Sequence, residues 1–150
     1  MKTIILVLTL FLFSCSATEE TIELECSKCS VTDTEYNAEV FNLINNYRSV
    51  QGFKMLKADY LCAKDLAKGH SRYMDSLNIL SHDGFGDRSN ALISRGANNT
   101  GEIGGRQYKF PIDLVYAFTQ SERHNEVMIR DFEYIGIGKH NEFVTIIFYK

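Results

Sequence analysis

Strand-like runs come only at the end of this chain, after a long stretch of helical periodicity, and that order restricts the folds open to it. Residues 134–138 and 143–149 are short, bounded, and rich in β-branched and aromatic side chains. With His140 and Asn141 between them, they read as a hairpin. Further back, Tyr36, Val40, Leu43, Ile44 and Tyr47 recur at the spacing of one helix face, and Gly52 ends the pattern. Thr32 and Glu35 form a capping box ahead of it, and Asp33 adds negative charge to the first turn. A second helix is expected from Asp59 to about Leu77, with Ala63, Leu66, Ala67, His70, Tyr73, Met74 and Leu77 on one face. Residues 78–88 read as loop and 89–95 as a short helix closed by Gly96. Residues 97–105 read as a long flexible stretch around one acid, Glu102. Pro111 suits the first position of another helix, continued by Ile112, Val115, Phe118 and Thr119. Helices followed by a hairpin imply an α/β layer structure, with helices packed on a small, largely antiparallel sheet. No glycine-rich phosphate loop follows a strand, so nucleotide binding is not expected.

The N-terminal segment sets the compartment. Lys2 precedes an apolar run over residues 4–13, broken only by Thr9. Ten residues are too few to cross a bilayer as a helix but suit the core of a signal peptide. The run ends in Leu12-Phe13-Ser14-Cys15, which reads as a bacterial lipobox, with Cys15 as the lipid-bearing residue and membrane anchor. Residues 1–14 are therefore expected to be a signal peptide and 15–33 an acylated cysteine with a polar, acidic tether. Residues 34–150 are expected to form one domain with a real core. The net charge of −3 offers no basic surface for nucleic acid. Beyond Cys15 the cysteines are Cys26, Cys29 and Cys62, an odd number. Cys26 and Cys29 have redox-motif spacing but sit in the tether, and no fourth ligand of matched spacing makes a zinc site of them. A small structural loop or a staple to Cys62 is the expected role.

Four histidines could carry chemistry. His70 lies on the apolar face of the second helix and reads as a buried, hydrogen-bonded core residue. His140 falls in the hairpin turn and reads as exposed. His82 and His124 stand in loops at the ends of helices, where functional residues concentrate.

With those residues placed, the chain resembles the CAP superfamily (SCP domain), in its bacterial secreted branch. The resemblance runs through Val40-Phe41-Asn42-Leu43-Ile44-Asn45 with Arg48, then Ala67, His70, Ser71 and Met74. Ser81-His82, Asp87-Arg88 and Gly101-Glu102 follow, and Ser121 with His124-Asn125 and Ile135-Gly136-Ile137-Gly138 complete the order. It implies a three-layer α-β-α sandwich with a shallow cleft holding two histidines and two acids. Carried over by position, the histidines are His82 and His124 and one acid is Glu102. The second acid has no counterpart. Phe118 stands for the usual Trp, Ser121 occupies the matching position, and Glu122 is one step along. Ile103 replaces the Asn that usually follows Gly-Glu.

Two imidazoles and a carboxylate are suitable ligands for zinc or another divalent cation, so His82, His124 and Glu102 are the expected metal ligands. The family implies a non-catalytic module binding a lipid, a sterol or an envelope protein. The alternative is a metal-assisted hydrolase acting on peptide or envelope substrates. Ser81 and Ser121 adjoin the histidines in sequence, which does not make either a nucleophile.

Overall fold

The computed structural model describes residues 35–150; the expected signal peptide, lipid-bearing Cys15, tether, Cys26, Cys29 and capping residue Thr32 lie outside the described residues. The elements in chain order are α1 (Glu35–Val50), β1 (Lys57–Ala58), α2 (Ala63–Leu77), α3 (Phe85–Ile93), β2 (Thr100–Arg106), α4 (Pro111–Gln120), α5 (Glu122–Ile129), β3 (Tyr134–His140) and β4 (Phe143–Tyr149). The strands form one sheet in the order β1-β3-β4-β2. β4 pairs antiparallel with both β2 and β3, and the two-residue β1 runs parallel to β3. Among the described residues no helix is long and apolar enough to cross a membrane.

The sheet separates two cores. On one side Val40 and Ile44 of α1, Leu114, Val115 and Phe118 of α4, and Met128 of α5 pack on Ile103, Ile135, Ile137, Val144, Ile146 and Phe148. On the other, Ala63 and Ala67 of α2 and Leu92 of α3 meet Ile147 and Tyr149. Burial on both faces explains why β4 is an uninterrupted apolar run apart from Thr145, whose hydroxyl is hydrogen-bonded to Ser71 at 2.9 Å. The layers are thus α1, α4 and α5; the sheet; and α2 with α3. This is the expected α-β-α sandwich.

β3 is built asymmetrically for this arrangement. Its isoleucines face the larger core, whereas Gly136 and Gly138 lie directly under α2. A Cβ on Gly136 would come within 2.5 Å of the Ala63 carbonyl carbon, and one on Gly138 equally close to that of Ala67. Only glycine lets the helix backbone descend this far onto the strand.

Five expectations of local structure need correction. The second helix starts at Ala63 and not at Asp59. Asp59 stands outside it as a polar anchor, accepting hydrogen bonds from the Leu61 and Lys64 amides and from the Tyr149 hydroxyl at 2.9–3.0 Å. Within α2, Tyr73 and Leu77 are exposed, and the buried face is Ala63, Ala67, His70, Ser71 and Met74. The short helix lies at Phe85–Ile93, earlier than residues 89–95. Most consequentially, the glycine-rich stretch around Glu102 is not a flexible loop but strand β2. Its glycines accommodate neighbours: a Cβ on Gly101 would be 2.8 Å from the Phe132 ring. In α4, Ile112 is exposed, and Leu114 takes the inward place beside Val115 and Phe118. Cys62 is disulfide-bonded, and its partner lies outside the described residues.

Candidate functional site

Glu102 is the hub of the site. Its side chain is about 1% exposed although it belongs to the sheet's outer strand β2. A buried carboxylate has to be paired and hydrogen-bonded. Arg88 of α3 supplies both, donating from Nε to Oε2 at 2.7 Å and from the terminal guanidinium to Oε1 at 2.8 Å. This two-pronged geometry fixes orientation as well as charge. Oε1 also accepts a hydrogen bond from His82 Nδ1 at 2.9 Å. A carboxylate that pairs with arginine can only accept, so the Nδ1 of His82 carries the proton and its Nε2 is left for a ligand. The His82 side chain is just over half exposed.

The loop bearing His82 is held from two sides. His70 Nε2 donates to the Ser81 carbonyl at 2.8 Å. Arg106 of β2 holds Asn78, the left-handed residue that ends α2, through its carbonyl and side-chain oxygens. His70 is buried, as expected, and its ring stacks on Tyr73. It is also nearer the site than a purely structural residue would be: Nε2 lies 4.0 Å from Glu102 Oε1. Burial holds the His70 imidazole below the ordinary histidine range, with Arg88 and His82 pushing the same way; the Ser81 hydrogen bond and Glu102 oppose the shift.

His124 approaches from the other layer. It lies in the first turns of α5, half-buried, with its ring centroid 4.8 Å from that of Phe118. Burial is the first cause of a lowered pKa at His124, and His82 lowers it further. α5 is anchored by residues of α1. The Tyr47 hydroxyl donates to Asn125 Oδ1 at 2.9 Å, and the buried Arg48 donates to the carbonyls of Met128 and Arg130 at the end of the helix. Cations at a helix C-terminus satisfy its orphan carbonyls.

The structure brings His82 and Glu102 into direct contact, while His124 is carried by α5 in the opposite layer. Of the two residues weighed for the fourth position, Glu122 is exposed and Ser121 is half-buried. Among the described residues no serine hydroxyl is hydrogen-bonded to either imidazole, and the Ser81 hydroxyl accepts only the Asp83 amide, at 3.4 Å. Nor does any group of three or more His, Cys, Asp or Glu there have metal-holding geometry. Arg88 was the functional residue without an assigned role in the sequence. The signal for it was the adjacent Asp87-Arg88 pair together with an acid destined for burial.

A family model for the cysteine-rich secretory proteins, CAP, matches residues 41–143. The chain belongs to this family. Its fold is similar to that of an extracellular protein containing an SCP domain from Bacillus anthracis, with 28% identity and a TM-score of 0.70 over 77% of this chain. It is also similar to an outer surface protein of Borrelia burgdorferi, with 21% identity and a TM-score of 0.68 over 79% of this chain and 95% of the other. A cysteine-rich secretory protein of Staphylococcus aureus shares 15% identity at a TM-score of 0.68 over 79% of this chain. The CAP chain spans only 40% of the Bacillus protein and 39% of the Staphylococcus protein. Among curated proteins none matches the sequence.

The buried His70 gives a pH-dependent stability. Its folded pKa is depressed, so the unfolded chain binds more protons in the window between the folded value and about 6.5. Stability is full above about 6.5 and falls as acid drives the pH down to the folded value. His70→Ala should cost about 1–3 kcal/mol at pH 8 through lost packing and an unpaired Ser81 carbonyl. Because the variant lacks this proton uptake, the deficit should narrow on acidification. Denaturant titrations from pH 8 to pH 5 check this, and a deficit that widens in acid contradicts it.

Proposed function

We propose that this protein is a non-catalytic CAP module displayed on the cell envelope, tethered by lipid on Cys15, with its ligand cleft formed by His82 and His124. The observation that carries this reading is the state of Glu102. Its charge is matched by Arg88 and its remaining acceptor capacity is directed at His82. A carboxylate so committed orients an imidazole and is poorly suited to moving protons, and no hydroxyl nucleophile is poised beside either histidine. The extracellular and outer-surface descriptions of two structural relatives support display outside the cytoplasm, together with the signal-like residues 4–13. The ligand is a lipid, sterol or envelope protein.

Zinc or another divalent cation fits this donor set in a narrower form than three direct ligands. On Glu102 such a cation would face the Arg88 guanidinium. The fitting donors are His82 Nε2 and the His124 ring, with Glu102 behind His82 as the carboxylate that fixes its tautomer. A metal held there would supply a Lewis-acidic contact for an anionic or carbonyl group of the ligand.

Calorimetry of the protein with zinc at pH 7.5 should give weak, saturable binding that His82→Ala/His124→Ala abolishes. Neutral imidazoles are required, so binding should fade in acid as the His124 ring, held below the ordinary histidine range by burial, takes up a proton. No heat, or heat indifferent to the double substitution, removes the metal. Zinc-dependent turnover of peptide or envelope substrates lost in the same variant would establish the hydrolase instead.

The anchor has a separate test. The full-length protein, expressed with its N-terminal segment, should partition into detergent and take up a fatty-acid label. Cys15→Ala should lose both; a variant still labelled and membrane-bound refutes the lipobox reading.

A further inference from the structure

A cavity lies between α2 and α3, with Arg88 in its lining. It measures about 590 Å³, and neither His82, Glu102 nor His124 lines it. That volume falls within the range of small-molecule clefts, about 300–1,000 Å³. Its walls include Leu66 and Tyr73 of α2, and the exposed Asp83 and Asp87 stand at its rim. Arg88 is the only lysine or arginine in the lining, and its charge is already matched by Glu102. The cavity therefore presents a net negative rim over an apolar and aromatic wall.

Two details mark it as a prepared space and not a gap between helices. Tyr73 is 42% exposed, yet its ring is fixed at both ends. It stacks on His70 with centroids 5.8 Å apart, and its hydroxyl donates to Asp83 Oδ2 at 3.2 Å. An exposed aromatic held this way is a preorganised surface for a cation. The second detail is Gly69, which sits in the interior of α2 and lines the cavity. Glycine there costs about 1 kcal/mol relative to alanine. A Cβ on Gly69 would meet nothing within 4 Å, and its backbone is not left-handed. Neither packing nor conformation requires glycine at this position, in contrast to Gly136 and Gly138. What its absent side chain leaves is open room in the cavity.

We infer that the α2–α3 cavity is a binding site for a small organic cation, an ammonium or guanidinium group joined to an apolar body. The charged head lies against Asp83 and Asp87, and the body lies over Gly69 along Leu66 and the face of Tyr73. This site is independent of the proposed role of His82 and His124, so either can fail without the other.

The test uses the full-length protein in solution with phenethylammonium as probe. Phenethyl alcohol and phenylacetate serve as neutral and anionic counterparts. Titration followed by amide NMR should show saturable shifts at Gly69 and Gly84 with phenethylammonium and at least tenfold weaker binding of both counterparts. Asp83→Asn/Asp87→Asn should weaken the cation at least tenfold, and added salt should weaken it further. Gly69→Leu should abolish binding while leaving the melting temperature unchanged or raised, because it improves the helix while filling the cavity. Equal binding of the three probes, or undiminished binding by the Gly69→Leu protein, overturns the proposal.

Discussion

The close approach of α2 to β3 is the constraint from which the rest of the molecule follows. Gly136 and Gly138 remove the side chains that would hold the helix off the sheet, and Ala63, Ala67 and Ser71 present small groups in return. Ser71 seals the contact by donating to the Gly138 carbonyl at 2.7 Å while bonding to Thr145. With α2 fixed at this depth, His70 is buried against the carbonyl of Ser81, and the loop that follows carries His82 to the edge of β2. The opposing layer is fixed by different means. There Arg48 and Tyr47 of α1 hold α5, and with it His124. His82 and His124 are thus carried by two independently anchored layers on opposite sides of the sheet.

Electrostatics then decides what Glu102 can do. Taking a carboxylate out of water is costly, and removing one partner of a buried pair typically costs about 3–5 kcal/mol. Glu102 is tolerable inside because Arg88 grips both of its oxygens and His82 takes a further lone pair. These contacts convert a potential acid or ligand into a positioning group. The same Arg88 lines the α2–α3 cavity, so one side chain both clamps Glu102 and borders that space.

Much of this was legible in the residues. The helical spacing of Tyr36 to Tyr47, Pro111 at a helix start and the terminal hairpin all appear in the fold, and ordered short motifs identified the family. Strand β2 was hidden because three of its seven residues are glycine and one is a lone acid, a composition that locally reads as loop. Glycine there reflects the nearness of Phe132, Leu114 and Phe118, which depends on tertiary packing. The start of α2 was misplaced for a related reason. Asp59 has a capping chemistry, but it acts from four residues outside the helix, tied to Tyr149 at the other end of the sequence. The Asp87-Arg88 pair marked the place but not the role of Arg88, because its partner Glu102 is buried only once β2 forms.

The claim that organises this account is that Glu102, clamped by Arg88, holds His82 with its Nε2 free. Imidazole ¹⁵N spectra of the full-length protein at pH 8 read this tautomer directly. The account predicts that His82 is protonated at Nδ1 and bare at Nε2, and that Glu102→Gln disperses this preference. A His82 ring protonated at Nε2, or one whose spectrum ignores Glu102→Gln, would contradict it.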